Sequence, residues 1–461
     1  MQDLENTLAK FQEIVSSNFC YNLAKKVGLI QRSTSQLKGY EFAQAMMVPN
    51  AFIEGESLNS LAVRMQRINK ECHLSASALA QRMNTKAAES FMRHCFAKVL
   101  TDVVKKSFVH LGDLPNLSIF NRLLIEDSTQ AELHEKLSKY YKGSGGAASQ
   151  SALKIDFIFD YLSEQIVDIQ FFSGNKPDQS LAGRILPLLE KNDLVIRDLG
   201  YFVLQKIKAI KEKGAFYLSR FKSNVDVYES VDSVEPLDVA KHIEKHMNKG
   251  LVDIEVFIGE EKCPTRLVAC LMSEEAINQR RRDAKRTAQR CRRQISQKKL
   301  NLLNYSIFIT NIPVKMLSST AIMAAYRIRW RVEMIFKQWK SYLKLHLFKG
   351  YRVERLHCLL YGRLIMILLL GSISPYLMQY ALALDRELSC FKLTHYFIAD
   401  HAFAIALQEG KVKAFIDQLL QDLPRRLCMD KRKRLSLRKN AKMGISYYKE
   451  QEINDLQKKI A

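Results

Sequence analysis

Tryptophan is scarce: the 461-residue chain has two, Trp330 and Trp339, and both fall in one short stretch. Nine cysteines stand at irregular spacing without a Cys-x-x-Cys pair. That pattern argues against a zinc site, and an odd count would leave a thiol unpaired in an oxidising compartment, so a reducing cytoplasm is expected. The glycine-rich stretch 142–149 has no Gly-Lys-Ser/Thr, which argues against a nucleotide P-loop and predicts a flexible loop. His242-Ile-Glu-Lys-His246 is not the His-Glu-x-x-His of a metalloprotease and reads as a surface feature. The longest apolar run, 364–371, is too short to span a bilayer and predicts a buried core helix. Met1-Gln-Asp-Leu-Glu-Asn6 has no basic segment leading into an apolar one, so no signal peptide is expected. Acids are also in deficit: 48 Asp and Glu stand against 71 Lys and Arg, a formal net charge of +23. Such a surplus favours a polyanionic partner, nucleic acid ahead of an anionic membrane surface.

With 47% hydrophobic residues, a chain of this length can bury substantial cores in two to four domains. Up to about Ser107 the pattern is helical. Leu58, Leu61, Met65 and Ile68 recur at helical spacing behind a Ser57 cap. Residues 75–83 lead through Asn84-Thr85 into 86–98, which predicts a helix-turn-helix whose second helix offers Lys86, Arg93, His94 and Lys98 to a groove or to phosphates.

From Arg122 the period changes. Leu123-Leu-Ile125 predicts a strand that delivers Glu126-Asp127 at its C-terminal end. Residues 153–161 and 165–172 predict an antiparallel hairpin with Asp156, Asp160 and Asp168 on its exposed face. A helix carrying Leu181, Ile185, Leu188 and Leu189 should follow. Then Leu194-Val-Ile196 forms a central strand running into Arg197-Asp198-Leu-Gly-Tyr201. A basic helix over 201–213 and a strand over 216–221, with Arg220 near its end, complete the order of a ribonuclease-H-like α/β core. Strands at 225–228, 252–258 and 266–271 predict an all-β insertion. It ends in a run from 280 to 299 with ten Lys and Arg against one Asp, often only a solvated segment. A strand over 305–313 returns to the core and 356–370 is a core helix. A second basic cluster, 425–442, lies in a helical C-terminal region expected to serve dimerisation or DNA contact. The expected organisation is a helical DNA-binding region at 1–110, a catalytic domain at 118–375 with its insertion at about 222–300, and a helical region at 376–461.

The stretch holding both tryptophans organises the rest. At about 100° per residue, Ile328, Val332, Ile335, Phe336, Trp339 and Leu343 form an apolar stripe that should face a core. Within an arc of roughly 80° beside it lie Tyr326, Arg329, Glu333, Lys337 and Lys340, with Trp330 at the margin. One reading is an amphipathic helix with a Glu333–Lys337 pair. The other is a carboxylate that holds a metal, ringed by cations for phosphates and aromatic rings for a base. Asp127, Asp198 and Glu333 would all sit against one sheet. Two magnesium ions roughly 4 Å apart need such a cluster, because hard cations prefer oxygen ligands and keep positions open for water and phosphate.

The spacing Tyr326-x-x-Arg329-x-x-x-Glu333-x-x-x-x-x-x-Lys340 resembles the YREK signature of insertion-sequence DDE transposases, the IS-four family that includes the Tn-five-like enzymes. Ile125-Glu-Asp127-Ser-Thr129 is similar to the family's first aspartate motif, Asp198-Leu-Gly-Tyr201 to its second, and Thr310-Asn-Ile-Pro313 to the strand before its glutamate. The resemblance covers roughly 122–350. It implies cut-and-paste transposition by a bacterial, cytoplasmic, nucleoid-associated enzyme acting on inverted terminal repeats and target DNA, as a homodimer in the synaptic complex. Asp127, Asp198 and Glu333 would bind two Mg2+ ions, with Mn2+ able to substitute. Tyr326, Arg329, Lys337 and Lys340 would hold phosphates, and Trp330 and Arg220 would add DNA contacts. Tyr305 would stack on a flipped base where a hairpin forms, and Leu199 replaces an arginine often found after the second aspartate. The rival readings are a nuclease of the same core without strand transfer and a derivative that only binds DNA.

Overall fold

Two short stretches share one pattern, three apolar residues and then a charge: Leu123-Leu-Ile-Glu126 and Leu194-Val-Ile-Arg197. Both are strand and both are buried throughout. The computed structural model describes residues 2–32, 34–47, 57–104, 117–146, 149–398 and 402–429. The strands among these residues are β1 (Leu123–Glu132), β2 (Ala152–Asp160), β3 (Gln165–Ser173), β4 (Leu194–Arg197), β5 (Phe216–Arg220), β6 (Val227–Tyr228), β7 (Leu251–Ile258), β8 (Cys263–Leu271) and β9 (Tyr305–Thr310). They form one sheet in the order β3-β2-β1-β4-β5-β9-β8-β7-β6, within a mixed α/β architecture. β1, β4 and β5 run parallel. The hairpin β2–β3 is antiparallel, as are the pairings of β9 with β5 and with β8.

The chain divides into two compact units. The first contains, of the described residues, those within Met1–Leu111, Ser128–Lys176 and Val332–Lys431. Its core helix, Val353–Ala383, is 31 residues long. It is long and apolar enough to cross a membrane, yet 83% of its most apolar 18-residue window is buried within the protein. The N-terminal helices pack on it, among them Ala76–Met83 and Lys86–Val99, capped by Ser75 and Thr85. Along the second of these, Lys86, Arg93 and His94 are exposed, whereas Lys98 is held by Asp102 at 2.6 Å.

Gly362 marks a close approach of two helices in this unit. A Cβ there would lie 2.5 Å from the backbone carbonyl of Met46, in the helix Tyr40–Met47. Gly362→Ala should therefore destabilise the protein by about 1–3 kcal/mol through overpacking, outweighing the gain of about 1 kcal/mol in helix propensity. A lower urea midpoint at unchanged m-value would show it.

The second unit contains, of the described residues, those within Gly112–Asp127 and Pro177–Arg331. Several expectations need correction. The segment expected as a helix around Leu181–Leu189 consists of two short 3-10 turns, Asp178–Leu181 and Leu186–Leu188, because Gly183 and Pro187 interrupt helical winding. The insertion is not all-β. Helices Val239–Lys245, Glu274–Arg290 and Gln297–Leu302 lie within it, and β8 joins its strands to the main sheet through β9. The single helix expected through 326–340 is two, Ser319–Arg327 and Trp330–Ser341. In the first unit, Asp156 and Asp160 are buried rather than exposed, since β2 is covered on both faces. Asp160 accepts bonds from the backbone N–H of Leu162 and the hydroxyl of Ser163. The basic cluster 425–442 lies mostly outside the described residues.

Candidate active site

The site is built on the parallel pair β1–β4. Ion pairs flank this register at both ends. Arg122 grips Asp193 at 2.6 Å just before the strands pair, and Arg197 lies 2.8 Å from Glu126 at the last paired position. Glu126 and Asp193 are fully buried. Burial pushes the guanidinium of Arg197 below its usual range, and the neighbouring Glu126 works against that shift. Arg197 also donates to the carbonyl of Ala182 at 2.9 Å. Asp127 and Asp198 are the next residues after this pair, so the register sets them side by side where parallel pairing ends.

Both aspartates meet Arg329. Its Nη1 lies 3.3 Å from Asp127 Oδ2 and its Nε 4.0 Å from Asp198 Oδ1. Arg329 reaches them from the turn between the helices Ser319–Arg327 and Trp330–Ser341. There Arg329 N bonds the carbonyl of Tyr326 and Arg331 N that of Ile328, so the chain winds tightly through three-residue spacing. The start of the first helix is fastened from below. The Ser319 hydroxyl donates to Asp253 at 2.6 Å, and Asp253 takes a two-pronged bond from Arg266 on β8. Arg266 in turn donates to the carbonyls of Ile312 and Leu317. Burial pushes the Asp253 carboxyl up, but the donors on Arg266 and Ser319 outweigh it and hold the group below the usual carboxylate range.

Tyr326 is buried, its ring 5.1 Å from that of Phe308 on β9. The guanidinium carbons of Arg220 and Arg329 stand 5.6 and 6.0 Å from its centre. Its hydroxyl donates to the carbonyl of Arg197 at 3.4 Å. Burial raises the phenol pKa against the pull of the two arginines. Tyr326 thus pins the Arg329 turn to the end of β4. Trp330, the next residue after Arg329, is 51% exposed.

Of the predicted site residues, the structure brings together Asp127, Asp198, Arg329, Tyr326 and Arg220. Tyr305 is buried and donates to Glu244 at 3.2 Å. Glu333 lies in the first turn of Trp330–Ser341, half-buried. Lys337 is exposed, and half-buried Lys340 has its ammonium pKa lowered by burial. Among the described residues no three His, Cys, Asp or Glu side chains are grouped to hold a metal ion. The two aspartates nevertheless suit a hard cation: their oxygens converge on one positive charge, and the Asp198 side chain is 47% exposed. The Glu126–Arg197 pair and the Asp253–Arg266–Ser319 anchor were not anticipated. A signal for the first was present, opposite charges at the same place in two matching apolar triplets.

Residues 119–369 match the family model for the transposase DDE domain. The chain is 28% identical over 430 residues to the transposase for insertion sequence element IS231E of Bacillus thuringiensis subsp. finitimus, with 88% of each chain covered. It is 30% identical over 396 residues to that of IS231B of Bacillus thuringiensis subsp. berliner, with 82% of each covered. Identity to the transposase of IS1151 from Clostridium perfringens is 29% over 388 residues, 78% of this chain and 79% of the relative.

Proposed function

Because the chain belongs to the transposase DDE domain family, we propose that it excises its own insertion sequence and joins it to target DNA by cut-and-paste transposition. The chain is an insertion-sequence transposase, a metal-dependent enzyme that cleaves DNA and transfers strands. The observation that carries the site is the convergence of Asp127 and Asp198 on one positive charge within the matched region. The ribonuclease-H-like core that the family implies agrees with the strand order β3-β2-β1-β4-β5. The YREK spacing supports membership of the IS-four family.

In this reading Asp127, Asp198 and Glu333 hold two divalent ions, magnesium by the preference of oxygen donors. When bound, the metal supplies Lewis-acid stabilisation of the charge that develops as a phosphodiester bond breaks. The chain's own residues position the DNA. Arg329 orients a non-bridging phosphate oxygen beside the aspartates, with its fork held by the Tyr326 turn. Lys337 and Lys340 add charge toward the same strand, and exposed Trp330 stacks on a base. Base stacking by Tyr305 requires that its bond to Glu244 open first. The helix-turn-helix at 75–99 contacts the terminal repeats, the C-terminal region serves pairing of two copies, and the enzyme works on the nucleoid in the cytoplasm.

The test is incubation of the purified protein with labelled DNA carrying the element's ends, magnesium and a supercoiled target. Excision followed by covalent joining of 3′ ends to the target is the expected result. Cleavage without joined product would favour a nuclease, and end binding without cleavage a DNA-binding derivative.

A further inference from the structure

The helix Glu274–Arg290 has two unlike sides. Toward the protein, Ala276, Ile277, Arg280, Arg281, Ala284 and Ala288 are half-buried. Arg280 donates to the Tyr305 carbonyl and the Ser306 hydroxyl, and Arg281 to the side chain of Asn304, fastening the helix to the start of β9. Arg220 pairs with Phe308 there, and Ser219 with Arg197, so this is the sheet edge that carries Asp198. Away from the protein, exposed Glu274 and Glu275 lie in the first turn, and cations gather in the C-terminal half. Arg282, Lys285, Arg286 and Arg290 are exposed, as are Arg292 and Arg293 just beyond, with Asp283 the one acid among them.

Arg282, Arg286 and Arg290 are four residues apart, about 6 Å per step along the axis. Like charges at that spacing oppose helix formation. Asp283 offsets part of this charge without pairing to any of them, its carboxylate accepting from the neutral amide of Gln279. Among the described residues none of the six cations forms an ion pair within 4 Å. Arg280 and Arg281 on the inner side bond oxygens of β9 and the residue before it, whereas outer Arg282 bonds only a neutral oxygen of its own helix, Gln279 Oε1 at 3.0 Å. The arginines on the outer side repel one another along a ridge that an external polyanion would neutralise.

We propose that Arg282, Arg286 and Arg290, continued by Arg292 and Arg293, form a duplex-DNA clamp. The ridge grips backbone phosphates outside the reacting position and does not read base sequence. This rests on the transposase reading for its partner, while its geometry belongs to the helix alone.

The test compares wild type with R282Q/R286Q/R290Q, in which glutamine keeps helix propensity close to that of arginine. Binding to an element-end duplex and to an unrelated duplex is measured from roughly 50 to 200 mM salt, where phosphate neutralisation dominates the salt dependence. The slope of log K against log salt should become shallower by about 0.9 for each phosphate no longer neutralised, about 2.7 in total, equally on both duplexes. R282K/R286K/R290K should retain the wild-type slope. If the glutamine triple is misfolded, R286Q alone should still reduce the slope by about 0.9. An unchanged slope in a folded glutamine variant overturns the clamp. So does a change confined to the element end, or stronger competition by duplex RNA than by duplex DNA. Wild-type excision and joining are scored separately, so failure of the transposase reading is distinguishable from failure of the clamp.

Discussion

Asp198→Asn is expected to lower DNA cleavage and joining by on the order of a thousandfold while leaving end binding nearly unchanged. The exchange keeps shape and removes one negative charge from the proposed cation site. Lewis-acid stabilisation is worth several kcal/mol, and each 1.36 kcal/mol is tenfold in rate. The fold should not suffer, because Asp198 follows the last paired residue of β4 and its side chain is 47% exposed. Asp127→Asn should match it in activity but unfold more easily, since Asp127 is more enclosed and bonds Arg329. Single-turnover cleavage of a labelled strand, beside a thermal unfolding curve, separates the two effects. Cleavage by Asp198→Asn near the wild-type rate would remove it from the metal ligands.

Arg197→Met should cost about 3–5 kcal/mol of stability, because it strands the Glu126 carboxylate in the interior. Both groups are nearly inaccessible, at 7% and 0% side-chain exposure. A loss of that size is a large share of the 5–15 kcal/mol typical of a folded domain. Replacing both, as Glu126→Gln with Arg197→Met, should recover much of it by removing the unpaired charge. Urea unfolding of the two single variants and the double closes the cycle. Equal instability of single and double variants would show that the bond from Arg197 to the Ala182 carbonyl matters more than the ion pair.

The central strands were legible because short apolar runs ending in a charge have few other uses. That is why Asp198 could be placed at a strand end from residue order alone, whereas Asp127, expected at the end of its strand, lies inside β1, which runs on to Glu132 past the last residue paired with β4. The break at Ile328–Arg329 was not legible. Ile328, Val332, Ile335, Phe336 and Trp339 are buried on either side of it, so the apolar stripe carries no mark of the turn, which is written in backbone bonds. Asp156 and Asp160 misled for another reason. Alternation distinguishes two faces of a strand but cannot say that both are covered, and β2 is buried along its length. The helix Glu274–Arg290 has no fully buried residue, hence no apolar period to read. Its anchoring runs through arginines, which the charge count treats as surface. The spacing of Arg329 proposed it as a site residue, but its contact with both aspartates depends on a fold that brings position 329 back to 127 and 198.

The placing of β9 between β5 and β8 bears on which parts of this chain can be shed. Without the intervening segment 221–304, β9 would still pair with β5, but its other side would present a row of unsatisfied backbone donors and acceptors to solvent. Open edges of that kind recruit strands from other molecules and lead to aggregation. The segment is therefore a guard for the catalytic sheet as well as an addition to it. A shortened version of this enzyme would need some other cover for that edge before it could remain soluble.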